Sequence, residues 1–585
     1  MDEREERHLR ALGFMAVACL MGAVLITRLA QLQLYEGGRF LKQAEGNRLR
    51  IIPQLAPRGV IRDRHGNVLA SNRLSYSVAL YPLKMKRAQV GEVVDRLAAL
   101  LGVDAAELRR RVEAFGYASS HPIKLLPDID QRAIARIAES QAELPGVSIE
   151  PDTVRFYPRG ALAAHVLGYT GEVTQAELER LPERGMRRGD VIGKAGIERV
   201  LDSHLRGQNG FQRVEVDSRG RLVQTMGEIP AAPGKDLRLT LDAELQAVAE
   251  QALDEKKLTG AVVALHPQTG EVLAMASRPT FDPNLFSRRV RARDWQRLQR
   301  MNFPFVNRSV SAYPPGSIFK IPMALAALES GVCSPGRLFN STGSLRVGNR
   351  IFHDWKASGF GRVNLVKSLQ WSIDTVYYQL GVEMGGRTMA RYARETGLGE
   401  RTGLQLGGES AGLIPDPEWK QRVWHDKWWP GDSANMSIGQ GAVSVTPLQA
   451  AVMVSAIVNG GKVLVPRLVA DGKPGEVRKQ SSWRPGSVAV VRQGMRAVVA
   501  AGTGVVADVP GKQIAGKTGS AESGKPKTHA WFVCVGPEQA PAITVVVFAE
   551  AAGHGGDVAA PVARKLLDRY FGLKEGKIRR ATVID

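Results

Sequence analysis

A chain of 585 residues, 44% hydrophobic and 23% charged, has material for more than one hydrophobic core, and without a long low-complexity tract it is neither disordered nor fibrous. The net charge of +21 favours an anionic surface or polymer as a partner, yet Lys and Arg are spread along the chain with no basic block interleaved with aromatics, so no nucleic acid is expected. Cys19, Cys333 and Cys534 form neither a CxxC nor a paired framework, so folding without disulfides is expected, with each thiol buried and inert.

Residues 11–27, ALGFMAVACLMGAVLIT, carry no charge. As a helix this run spans about 25 Å at about 1.5 Å per residue, a little short of the bilayer core. Continuing past Arg28 to Leu34 supplies the length, with Arg28 snorkelling to the interface. Bulky Gln31, Leu32 and Gln33 stand where a cleaved leader needs small residues, so 11–34 reads as an uncleaved transmembrane helix preceded by a tail, 1–10. Charge does not orient it: three Arg and four acids precede the span, and Arg39, Lys42, Arg48 and Arg50 follow it.

Beyond the anchor, Arg58-Gly59, His65-Gly66-Asn67 and the pairs Val60/Ile61 and Val68/Leu69 predict extended strands around a tight turn. Residues 94–145 hold two helical patterns, VVDRLAALLG and DQRAIARIAESQ, and 155–235 is rich in Gly and Arg, reading as strands and turns. AAPGKD, 231–236, reads as a linker. From Leu237 a strand runs into an amphipathic helix, and 260–277 is a strong hairpin around His266–Gly270. Apolar helices are predicted over 318–330 and 446–459, strands over 512–520, 529–536 and 542–549, and a closing helix over 558–571. Strands at both ends of a helical middle imply an antiparallel sheet with helices packed on it, an α+β domain.

Tyr313-Pro314-Pro315-Gly316 punctuates the start of a helix that opens with Ser317-Ile318-Phe319-Lys320. Ser and Lys three apart share a face, so a Lys shielded from water can take the hydroxyl proton of Ser317, and the helix N-terminus offers N–H donors to an oxyanion. Such a pair arises by chance about once or twice in a chain this size. Ser372-Ile373-Asp374, opening a helical run, and Lys517-Thr518-Gly519-Ser520, closing a β-rich run, make it specific. A Gly beside a strand edge lets substrate backbone approach, and Lys517 with Thr518 can hold a carboxylate. The order SxxK, SxD/N, KTG marks serine enzymes that recognise penicillin.

Beyond these motifs, APRGVIRDRHGNVLASN, GKAGIERVLDSHLRG and RSVSAYPPGSIFK make the chain resemble a class B penicillin-binding protein along nearly its whole length. WWPGDSANMSIGQGAVSVTPLQAA, 428–451, is similar to the elongation-specific subgroup, penicillin-binding protein 2. The resemblance implies an elongated, mainly β/α pedestal of the dimerisation type over 36–235, a transpeptidase domain over 236–573 and a tail over 574–585. It implies a D-Ala–D-Ala transpeptidase that cross-links peptidoglycan stem peptides and is blocked by β-lactams. Ser317 would be the nucleophile, Lys320 its base, Ser372 a proton relay, and Asp374 would stand where many relatives have Asn. Lys517 and Thr518 would hold the terminal carboxylate, Gly519 would complete the strand, and the N–H groups of Ser317 and Ser520 would form the oxyanion hole. The chemistry places the tail in the cytoplasm and the catalytic domain outside the inner membrane, and the pedestal, which has no catalytic constellation, is expected to dock a RodA-type membrane glycosyltransferase.

Some members of that subgroup hold zinc with Asp, Asp, His and Cys; Asn340, Asp354, Phe360 and Ile373 stand at those positions, so no metal and no other cofactor is expected. His529 is expected to serve a turn between strands. Trp428 and Trp429 read equally as substrate wall or packing, and Asp282-Pro283-Asn284 is assigned no chemistry. A β-lactamase or carboxypeptidase on the same fold is the nearest rival, but no deacylating Glu can be identified.

Overall fold

The computed structural model describes residues 3–38, 49–117, 119, 122–180, 186–216, 222–288 and 290–573. The tail expected over 574–585 and the basic residues Arg39, Lys42 and Arg48 lie outside the described residues. Helix α1 (Glu3–Ala30) continues through a π-helical turn at Gln31–Tyr35, and its stretch Arg7–Tyr35 is long and apolar enough to cross a membrane. Residues 3–10 contain good helix formers and no breaker, so the helix starts inside what was expected to be a tail. Cys19 is exposed on this helix, against the expectation of a buried thiol, because the span carries its apolar surface outward. Cys333 and Cys534 are buried, and burial pushes both thiols up, which keeps them unreactive.

Strands β1 (Leu49–Gln54), β2 (Ile61–Arg62) and β3 (Val68–Leu80) are followed by helices α2 (Arg87–Leu101) and α3 (Ala105–Phe115), strand β4 (Ile123–Leu126), helix α4 (Gln131–Glu139) and strand β5 (Val147–Phe156). The turn at His65–Gly66–Asn67 joins β2 to β3, and β3 pairs with β4 and β5. Helix α3 escapes a periodicity reading because Leu108 and Val112 are the residues it buries, beside a run of three Arg. Strands β6 (Gly210–Val216) and β7 (Leu222–Ile229) form a separate three-stranded sheet with β1.

Residues 231–236 are not a free linker. The Gly234 N–H donates to the Pro57 carbonyl at 2.9 Å and the Lys235 N–H to the His204 carbonyl at 3.0 Å, so backbone pairing fixes the segment against the pedestal. Strand β8 (Leu237–Arg238) then joins the pedestal sheet parallel to β2. Asp63, fully buried, accepts from the N–H groups of His65 and Asn67 and also of Ala243, tying the pedestal turn to the first helix of the catalytic region.

That helix is α5 (Ala243–Glu255), capped by Asp242. The hairpin β9 (Gly260–Leu265) and β10 (Val272–Arg278) follows, then helices α6 (Lys320–Glu329), α7 (Asp374–Glu395), α8 (Pro447–Val458) and α9 (Pro485–Ala501). Strands β11 (Ala515–Ala521), β12 (His529–Gly536) and β13 (Ile543–Ala549) and helix α10 (Gly555–Tyr570) close the fold. The sheet runs β10–β9–β13–β12–β11, antiparallel throughout, with β11 at an edge. Helices α5 and α10 cover one face and α8 the other, which is why GAVVAL, HAWFVCVG and ITVVVFA are nearly continuous apolar runs. Every residue of α8 is buried, as an all-round apolar helix requires.

An aromatic joint also links the two regions. His165 meets the Phe281 ring edge-on at 5.4 Å and its Nε2–H donates to the Pro304 carbonyl at 2.8 Å. Burial lowers its pKa to about 4, against an ordinary value of 6.5. The folded chain thus binds fewer protons here than the unfolded one, so the joint is fully stable above pH 6.5 and weakens as pH falls toward about 4. Melting curves from pH 7.5 to 4.5 should show an acid loss on the order of 2 kcal/mol that His165→Gln lacks; equal pH slopes in both proteins would remove the assignment.

Candidate active site

Ser317 sits in a 3-10 turn, Gly316–Phe319, that feeds directly into α6. In a 3-10 turn side chains three apart eclipse, so Lys320 falls behind Ser317 rather than one α-turn beyond it. The turn is pinned from three sides. Tyr313 pairs with Val445 through both backbone bonds, Gly316 N–H donates to the Gly439 carbonyl at 3.0 Å, and Trp531 Nε1–H donates to the Pro314 carbonyl at 2.9 Å. Gly316 has φ +55°, and a Cβ there would stand 2.6 Å from the Ser520 carbonyl oxygen. Only glycine allows this turn to touch strand β11. Ser317 is half-buried, open to a substrate, whereas Lys320 is 0% exposed.

Ser372 and Asp374 converge on Lys320. Its Nζ donates to Asp374 Oδ1 at 2.6 Å, to the Ser372 carbonyl at 2.7 Å and to Ser372 Oγ at 3.2 Å. Ser372 stands with its motif at the start of α7, as expected, two residues before the first helical residue, Asp374. It precedes α7 with φ +57°, an uncommon conformation for a non-glycine residue, held by its N–H donating to the Leu369 carbonyl and that of Ile373 to Ser368. The conformation aims both the carbonyl and the hydroxyl of one residue at the same ammonium. Burial raises the Asp374 pKa, opposed by Lys320.

Asp354, the acid standing at a zinc-ligand position of some relatives, has another task. Its Oδ2 accepts from the N–H and the hydroxyl of Thr375 at 2.9 and 2.8 Å, and Oδ1 accepts from Trp355 N–H. It therefore anchors the first turn of the helix that carries Asp374. Among the described residues no group of three His, Cys, Asp or Glu side chains is placed to hold a metal.

Lys517 lies on edge strand β11, 0% exposed, its Nζ donating to the Thr518 carbonyl at 2.9 Å. Burial, then the charge of Lys320, holds its pKa well below the ordinary lysine range, with Asp374 pulling the other way. Two lysines and one carboxylate thus share a dry pocket, in which burial and Lys320 disfavour the ammonium form of Lys517. A Cβ on Gly519 would lie 3.0 Å from Ile318 and 3.1 Å from the Pro315 carbonyl, so what approaches this strand closely is the turn that carries Ser317.

Two neighbours of β11 were not singled out from sequence. Thr503 Oγ1 lies 2.6 Å from Thr518 Oγ1, and His554 Nδ1 lies 3.4 Å from Ser520 Oγ. Neither carries a motif; the signals available were a Gly-flanked Thr after a helix and a His at a helix start. His529 has the turn role expected of it: its Nδ1 accepts from Ala551 N–H, joining the start of β12 to the end of β13. Trp428 packs on Gly386 of α7 and donates to Ser433 Oγ, whereas Trp429 is exposed. Asn284, held by Asp282, bonds both the N–H and the carbonyl of Tyr157, a structural clasp between pedestal and catalytic region.

Residues 260–568 match the family described as penicillin binding protein transpeptidase domain, and residues 53–239 the penicillin-binding protein dimerisation domain. The chain is 34% identical to the peptidoglycan D,D-transpeptidase MrdA of Acinetobacter baumannii over 97% of its own length and 88% of the relative's. It is 33% identical to the MrdA of Haemophilus influenzae over 100% and 95%. Among solved structures, the complex between penicillin-binding protein PBP2 and MreC from Helicobacter pylori matches with TM-score 0.80 and 26% identity, covering 90% of this chain and 99% of that one. A chain from a peptidoglycan synthase complex that coordinates polymerisation and crosslinking matches with TM-score 0.73 and 32% identity, covering 98% and 99%.

Proposed function

The chain belongs to the class B penicillin-binding proteins, and from that membership we propose how its buried Lys–Asp–Lys pocket and the turn above it carry out acyl transfer. The protein is a peptidoglycan D,D-transpeptidase of the elongation type, acting through a serine acyl-enzyme and inhibited by β-lactams. Lys320 takes the proton of Ser317 as Oγ attacks the penultimate D-Ala carbonyl of a donor stem peptide. The oxyanion that forms is held by the N–H groups of Ser317 and Ser520. Ser372 passes the proton to the departing nitrogen, the peptide C–N bond breaks and D-Ala leaves. An amine of a second stem peptide then attacks the ester, a new C–N bond forms, and Ser317 recovers its proton. Lys517 supplies positive potential and Thr518 a hydroxyl for the donor's carboxylate, with Gly519 keeping strand and nucleophile in contact.

The observation that carries these roles is the convergence of Lys320 Nζ on Ser372 Oγ and Asp374 Oδ1 directly behind the Ser317 turn. Intact-mass spectrometry after benzylpenicillin treatment tests them. A single adduct is expected, stable for minutes, mapping to the peptide holding Ser317 and absent in Ser317→Ala. Loss of the label within seconds would make the protein a β-lactamase-like hydrolase instead.

The single apolar helix fits a one-pass membrane anchor. The N-terminus lies in the cytoplasm and the catalytic domain outside the inner membrane, where peptidoglycan is. In this reading the pedestal docks the membrane machinery: a RodA-type glycosyltransferase, and an MreC-type protein of the kind seen with the Helicobacter relative. Co-purification of such partners should survive Ser317→Ala, and its loss in that variant would contradict separate docking and catalytic surfaces.

A further inference from the structure

Strand β11 presents two rows of side chains, because residues two apart face the same way. Lys517 belongs to the row that faces Lys320 and Asp374. Thr518 and Ser520 share the other row, and each of their hydroxyls has one partner supplied by a different part of the fold. We propose that Thr503 and His554 are positioning residues that turn the hydroxyl protons of Thr518 and Ser520 toward the carboxylate of the donor peptide or β-lactam. This rests on the acyl-transfer reading above.

A hydroxyl has one proton and two lone pairs, whereas an ionised carboxylate accepts only. A Thr518 hydroxyl whose proton pointed at Thr503 would offer the incoming carboxylate a lone pair and repel it. With Thr503 donating across the 2.6 Å contact, the Thr518 proton is left free for the substrate. The same logic holds at Ser520, where the Nδ1–H form of His554 donates across 3.4 Å and frees the Ser520 proton. Two charge-assisted hydrogen bonds are then presented together.

Both positioning groups are held in place by contacts outside the strand. Thr503 follows helix α9, and its N–H donates to the Gln370 carbonyl at 3.4 Å, so it bridges the segment that leads into Ser372 and the strand that carries Lys517. His554 is the residue before α10. The next residue, Gly555, is pressed onto the strand: a Cβ there would stand 2.5 Å from the Gly519 carbonyl oxygen. His554 cannot withdraw from Ser520 without lifting the start of α10.

The test compares acylation of the detergent-solubilised full-length protein by benzylpenicillin and by its methyl ester, which lacks the carboxylate. Binding and acylation constants are separated by stopped flow. Thr503→Val, which keeps the shape and deletes the hydroxyl, and His554→Phe should each lower the preference for acid over ester about tenfold, through binding rather than the acylation step. Thr503→Ser and His554→Asn, which keep a donor at the same position, should stay within about twofold of wild type. The proposal is overturned if Thr503→Val keeps the wild-type preference, or if it slows acid and ester equally, as a purely structural role would. Failure of the wild-type protein to acylate at Ser317 would instead overturn the functional reading beneath it.

Discussion

Lys320→Met is expected to lower the rate of Ser317 acylation by benzylpenicillin about 10³-fold or more while leaving the melting temperature unchanged or slightly raised. The two halves of this expectation have different origins. In the proposed mechanism activity falls because Lys320 is the base for Ser317, and its Nζ donates to the carbonyl and the hydroxyl of Ser372, the proposed relay. Stability does not fall with it, although breaking a buried ion pair usually costs several kcal/mol. Here Lys320 pairs with Asp374 at 2.6 Å, and burial, then the nearness of Lys320, pushes the Lys517 pKa down. Removing Lys320 relieves that repulsion, and Lys517 remains as a counter-charge for Asp374. Methionine fills nearly the same volume without an ionisable group. A variant that acylates within tenfold of wild type would require a different base. One that melts far below it would mean that Lys320 holds the pocket together rather than straining it.

Glu198→Ala should destabilise the pedestal by about 3–5 kcal/mol, the cost of leaving buried charge unpaired. Glu198 is 0% exposed and accepts from Arg58 Nε and Arg155 Nε, both at 2.6 Å. Arg58 also donates to the Glu198 carbonyl and to Asp202 Oδ1, and Arg155 to the Gly59 carbonyl. Without the carboxylate Arg155 loses its ion-pair partner in a dry site and Arg58 keeps only Asp202. Differential scanning calorimetry should show an early pedestal transition, while penicillin still labels Ser317 at low temperature and, if the pedestal docks membrane partners as proposed, their co-purification is lost. Unchanged melting would show that the arginines find other partners. Loss of labelling without early melting would mean that the cluster acts on the catalytic site itself.

The cluster also shows how far a sequence can be read. Arg58 lies in APRGVIRDRHGNVLASN and Glu198 in GKAGIERVLDSHLRG, two segments that carried the family resemblance without a stated reason. The fold supplies the reason: they are the two sides of one buried ion network. Helix α3 was missed because Leu108 and Val112 are a narrow apolar stripe for a period to stand on. The expected linker over 231–236 proved to be paired backbone because Pro and Gly mark a local bend and carry no information about distant partners.

By itself the sequence determined the class and pointed to the residues proposed for its chemistry. Ser317, Lys320, Ser372, Asp374 and the Lys517–Ser520 run are recognisable from residue type, order and spacing, and the apolar strands and buried helix α8 from period and composition. Only the tertiary structure decided which groups meet. That Ser372 turns through a left-handed conformation onto Lys320, that Asp354 anchors the helix of Asp374, and that Thr503 and His554 reach the outer row of β11 are all contacts between elements far apart in the chain. Local pattern reports period and propensity. It is silent about such contacts because they are set by how helices and sheet pack.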